Sequence, residues 1–209
     1  MPLHVPQAPA PALRSVLAAL RSSSAVSGAR TPAAVRAAHA TLRAELPLPV
    51  HEMAHIGHSG ELPRTRLTGW RFLLRSDADG PQSLDGTAPG RTAVGAAEAV
   101  LTADGWTFGG FGEGPYVTST ERALRQAESL PVPYQPRLLS VPQLYMLTLW
   151  LHRDTAADAG EGAPAPSDVL IPLAPAPPGI AAHKPHRLDA LLRLLTHRLV
   201  PVQAMRTPA

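Results

Sequence analysis

Proline decides where regular structure can form in this chain. Of its 209 residues 24 are proline and a further 16 are glycine. A proline fixes φ and lacks a backbone N–H, so a helix or strand must begin at one or stop short of it. A good share of the length is therefore expected in turns, linkers and extended stretches, with regular elements confined between them. The length still suffices to close one sizeable core. We read a single α+β domain over residues 10–200, preceded by a mobile Pro-rich tail at 1–9, interrupted by flexible loops near 77–91 and 154–167, and followed by a tail at 201–209.

Periodicity fills in the elements. From Pro11, the apolar residues Leu13, Val16, Leu17 and Leu20 recur at helical spacing and stop at the serines 22–24. Thr31 and Pro32 resemble an N-cap and first-turn pair, and Val35, Ala38, Leu42 and Leu46 continue a second helix over about 32–46, with Arg36 and Arg43 on another face. Trp70, Phe72 and Leu74 alternate with Arg71, Leu73 and Arg75, as in a strand with one buried face. Residues 93–103 and Trp106–Phe108 flank Asp104-Gly105, a hairpin signal. Thr118 and Glu121 have capping-box spacing before Ala123, Leu124, Ala127 and Leu130, which predicts a central helix.

The apolar run from Leu138 to His152 is either a strand buried on both faces or a buried helix, and we favour the strand, paired with Val169–Ile171 across a 155–166 linker that has no means of packing. Leu188, Leu191, Leu192, Leu195 and Leu199 predict a closing helix. The sum is an α+β fold: a mostly antiparallel sheet of about five strands, two N-terminal helices, one central helix and one C-terminal helix.

Charge and composition limit the function classes. The chain carries a formal +3, and Lys184 is its only lysine beside 18 arginines. With no asparagine anywhere, this reads as the codon bias of a GC-rich bacterial genome, so nucleic acid is not an expected partner despite a pI near 9.9. The absence of cysteine removes disulfides, thiolate nucleophiles and Cys-based zinc sites. No run approaches the roughly 18 apolar residues of a membrane span, and no secretory start is evident, so the expected location is cytoplasmic. The first acidic residue is Glu45, after Arg14, Arg21, Arg30, Arg36 and Arg43. An acid-free, Arg- and Ser-bearing start is also a property of organelle transit peptides, against which the bacterial composition argues. It fits a basic helical pair that either folds back on the slightly acidic remainder or meets an acidic partner.

One stretch has a catalytic pattern, Val50-His51-Glu52-Met53-Ala54-His55-Ile56-Gly57-His58-Ser59-Gly60-Glu61. His51, Glu52 and His55 satisfy H-E-x-x-H, in which two histidines one helical turn apart hold zinc and the glutamate activates its water. The stretch resembles the zincin metallopeptidases. That resemblance implies a helix here, His51 and His55 as zinc ligands, Glu52 as base, and His58 or Glu61 as third ligand. Pro47, Pro49, Gly57 and Gly60 would confine such a helix to about two turns, and the alternative is a loop or edge strand. The glycine-rich run 109–114 could cradle an anion but reads better as a strand with a bulge or a close backbone approach. Trp70, Trp106 and Trp150 read as core.

Outside residues 51–61 no catalytic set is visible. The first expectation is accordingly a non-catalytic bacterial protein-binding module, an adaptor or a subunit of a larger assembly, without a cofactor. Its partner would be another protein or a second copy, met in part through Arg14, Arg36 and Arg43. The alternative is a zinc-dependent hydrolase using the 51–55 motif.

Overall fold

The computed structural model of the chain describes residues 3–55, 63–76 and 92–199. Three short helices open it: α1 (Ala10–Arg21), α2 (Ser23–Val26) and α3 (Ala33–Ala38). A meander of four antiparallel strands follows, β1 (Leu42–His55), β2 (Arg64–Ser76), β3 (Ala93–Thr102) and β4 (Gly105–Gly112). Helix α4 (Pro115–Glu128) then carries the chain back to β5 (Gln135–Val141), which lies parallel to β1. Strands β6 (Met146–His152), β7 (Val169–Pro172) and β8 (His186–Arg187) extend the sheet, and α5 (Leu188–Leu199) closes the described chain. The class is α+β, and the described strands form one sheet of eight in the order β4-β3-β2-β1-β5-β6-β7-β8. All neighbours are antiparallel except β1 and β5.

Alternation of side chains along the strands divides the core into two layers. On one face α4 buries Val117, Ala123, Leu124 and Ala127 against Leu48, Leu73, Leu138, Leu149 and Ile171. On the other face, α1 and α3 place Ala12, Val16 and Val35 on Trp70, Phe72, Leu74, Ala97 and Ala99. Also on that face, α5 packs Leu188, Leu191 and Leu195 against Met53, Leu139, Trp150 and Leu170. Between these two helical groups the 155–166 segment covers part of the same face, with Ala159 packed against the α1 group and its carbonyl on His51 of β1.

The eight strands exceed the expected five because three were misread. Leu42 and Leu46 extend the helical spacing of Val35 and Ala38, but the helix ends at Ala38, and from Leu42 the chain pairs with β2 along almost its whole length. Tertiary pairing overrides the local period. Pro47 sits at a register irregularity between Glu45 and Leu48, beside Leu46 at φ 49°. β5 joins only at Val50–Glu52, so the prolines occupy the half of β1 with one paired side, where a missing N–H costs no ladder bond.

The run 138–152 is also two strands instead of one. Pro142–Leu144 form a single 3₁₀ turn and Tyr145 takes the left-handed conformation at φ 49°, reversing β5 into β6. That turn contains no glycine or asparagine to announce it. Strand β8, two residues long, is the third addition. The central helix starts earlier than its capping-box spacing implies: Gly114, at φ 102°, precedes Pro115 in the first turn, and Thr118 lies exposed inside the helix.

The hairpin at Asp104-Gly105, the pairing of β6 with β7, and the burial of Trp70 and Trp150 are as expected, with Trp106 half-buried. Within the expected tail, Leu3 bridges Tyr134 and His4 N–H donates to the Tyr134 carbonyl at 2.8 Å. The 77–91 loop and the 201–209 tail lie outside the described residues.

Candidate functional site

Residues 51–55 are strand, so the motif's two histidines are not one helical turn apart. Successive strand residues face opposite sides of a sheet, which separates His51 from Glu52. Glu52 is half-exposed and pairs with Arg66 at 3.7 Å. His51 is fully buried and its ring meets Trp150 edge to face, with centroids 5.2 Å apart. The Ala159 carbonyl, 3.0 Å from His51 Nε2, can only accept, so Nε2 carries the proton. Nδ1 then offers a lone pair, but Gly162 lies against it: a Cβ at Gly162 would come within 2.6 Å. Burial pushes the His51 pKa down to about 4, with Arg137 and His152 adding to the effect, so the ring is neutral at pH 7. His55 continues the strand opposite Arg64, while His58 and Glu61 lie outside the described residues. The helical zinc arrangement implied by the resemblance is therefore not the one adopted by His51, Glu52 and His55.

His51 belongs instead to a polar cluster that sequence reasoning missed. Arg137 on β5 faces Trp150 on β6, its guanidinium carbon 4.8 Å from the ring centroid. Almost wholly buried, it donates to Gln135 Oε1 at 2.7 Å, to the Asp158 carbonyl at 2.9 Å and to the Glu161 carbonyl. Gln135 donates in turn to the Ala157 carbonyl at 2.9 Å, and Thr65 to the Gly162 carbonyl at 2.7 Å.

Asp168, fully buried, closes the segment. It accepts from Trp150 Nε1 at 2.7 Å, His152 Nδ1 at 2.9 Å, Arg153 N at 2.9 Å and Ala165 N at 2.8 Å. Burial alone would raise its pKa, yet these hydrogen bonds outweigh burial and hold the carboxyl below its ordinary value. The 155–166 segment, expected to have no means of packing, is thus pinned by its own carbonyls to side chains rising from β1, β2 and β5. Its composition concealed this because the donors lie elsewhere in the sequence. The legible signal is Arg137 and Asp168, charges set in otherwise apolar strand context.

Ser119 and His183 form a second pair, Oγ to Nε2 3.1 Å. Ser119 is buried within α4, and its Oγ already accepts from Ala174 N at 2.7 Å. His183 Nδ1 meets no carboxylate among the described residues. A serine nucleophile needs access and an oriented base. This pair has neither, and it holds the 174–183 segment against α4.

A concave feature lies at the sheet edge. Ser24, Ala25, Gly28, Ala29, Arg30 and Thr31 form one wall of a groove of about 460 Å³ and Phe108, Gly109, Gly110 and Phe111 form the other. The bulge foreseen in the glycine run is present, between Phe108 and Gly110 opposite Glu98 and Ala99. The extra residue lets both phenylalanines project to one side, where their rings stand 4.7 Å apart. The run leads into α4 almost directly, but Pro115 removes a first-turn N–H and Glu113 stands beside it, neither of which suits an anion.

The three arginines expected at an interface are all exposed. Arg14 is on α1; Arg36, on α3, donates to the Thr31 carbonyl at 2.7 Å; and Arg43 is on β1 and not on a helix shared with Arg36. Among the described residues no helix is long and apolar enough to cross a membrane. Comparison with protein-family models, curated proteins and solved structures finds no match.

Proposed function

We propose that the protein is a binding module, an adaptor or a subunit of a larger assembly, that docks another protein along the edge of β4. The observation that carries this reading is the edge itself. β4 ends the sheet with eight residues, Gly-Trp-Thr-Phe-Gly-Gly-Phe-Gly, without a charge or a proline. Soluble proteins ordinarily protect such edges with lysine, proline or very short strands, because unpaired N–H and C=O groups invite another strand. The opposite edge, β8, follows that rule with two residues, one of them Arg187. Arg137, Asp168, Ser119 and His183 are engaged in holding the 155–166 and 174–183 segments, and buried Glu121 is paired with Arg75 at 3.1 Å. Hydrolysis through Glu52 has no comparable support, since His51 and Glu52 face opposite sides of a strand.

Site-specific cross-linking in the source cell tests this. A photo-reactive residue at exposed Ser24 or Thr107 should join the chain to one defined protein, and the adduct at Ser24 should disappear when Ala29→Trp fills the groove. Adducts that are absent at both positions, or unchanged by Ala29→Trp, would contradict the reading.

A further inference from the structure

The geometry points to an acidic, extended segment of another protein as the occupant of the groove, added as a strand to β4; this rests on the docking reading above and names the chemistry of its partner. Strand addition supplies main-chain hydrogen bonds, while pockets beside the edge select alternate side chains. Beside β4 the selecting wall is built from the aromatic pair Phe108 and Phe111 and from small residues of α2 and the α2–α3 connection. A Cβ placed at Gly110 or Gly112 would meet nothing within 4 Å, so the sheet face at these two positions leaves room for the side chains of an added strand.

Charge selects the occupant. Arg30 is the one charged residue lining the groove, and it is exposed. Arg14 and Arg21 are exposed on α1, which packs on β3 and β4, and no acid precedes Glu45 in the sequence. Glu98 projects from β3 to the other face, where Arg71 holds it at 2.6 Å. Asp104 and Glu113 flank the strand outside the groove lining. Around the groove the three exposed arginines Arg14, Arg21 and Arg30 outnumber the two flanking carboxylates, and this balance favours an approaching chain that carries carboxylates. A second copy fits less well, since pairing β4 with β4 about a two-fold axis would bring one arginine-bearing, acid-free N-terminal region against another.

Fluorescence anisotropy at about 0.15 M salt tests the assignment with two labelled decapeptides, one alternating valine with glutamate and the other valine with lysine. The acidic peptide should bind at least tenfold more tightly. Arg30→Glu should weaken it at least threefold and narrow the difference between the peptides, and Ala29→Trp should weaken it at least tenfold. Both substitutions are at exposed positions, and unchanged thermal unfolding confirms that each variant is folded. Equal affinity for the two peptides, lost together in Ala29→Trp, would overturn the acidic assignment while leaving strand docking intact. Binding that is absent or indifferent to Ala29→Trp, while cross-linking from Ser24 still succeeds, would overturn the extended acidic occupant but not the docking surface. Loss of both signals removes the surface itself.

Discussion

At position 51 an imidazole sits beneath the 155–166 segment with no exposed surface, its pKa lowered to about 4 by the loss of water around it. In the unfolded chain the same ring takes up a proton near pH 6.5. Between those two values the unfolded state binds more protons than the folded one, so stability is fully present above pH 6.5 and is lost as pH falls towards 4. At ~1.4 kcal/mol per pKa unit, the whole contribution is on the order of 3 kcal/mol. His51→Gln keeps a donor for the Ala159 carbonyl but cannot titrate. It should be less stable than the parent at pH 7, and its denaturation midpoint should fall less steeply between pH 6.5 and 4. His183 and His186, also lowered by burial, remain in the variant, so the difference between the curves reports on His51. Parallel curves would show that the ring is not buried in the folded state.

Among elements, the 155–166 segment shows where sequence and structure part company. The strands around Trp70 and Trp106, the α4 periodicity from Ala123 to Ala127 and the C-terminal leucine spacing were legible because each pattern is local. The segment's anchoring was not, since Arg137, Gln135 and His51 are 21 or more positions away from the carbonyls they bind, apart from the shorter reach of Gln135 to Thr155. The first half of β1 was misread for a related reason: Leu42 and Leu46 fit a helical period that pairing with β2 overrides. The 51–55 motif then suggested a helix where the strand continues. Arg137→Met keeps the buried stem and removes the guanidinium donors. Subtilisin should nick residues 155–164 of this variant at least tenfold faster than the parent, with the first fragments ending inside that segment. An unchanged rate would mean that the Asp158 and Glu161 carbonyls do not depend on Arg137.

For the whole molecule, a sheet covered on both faces leaves its edges as the surfaces where structure remains open to a partner. One edge is reduced to the two residues of β8, and the other presents the uncharged β4 beside a groove lined by Arg30. The legible part of this site was limited to two clues, the acid-free N-terminus and the glycine-rich strand; that they adjoin follows only from the packing of α1 on β4. Hydrogen–deuterium exchange on the chain, alone and in complex with the protein cross-linked at Ser24, is the most direct test. Docking at the β4 edge predicts slowed exchange in Trp106–Gly112 and in the 24–31 connection, with β8 unchanged. Protection that falls on β8 and α5 instead, leaving β4 as it is in the free chain, would contradict it.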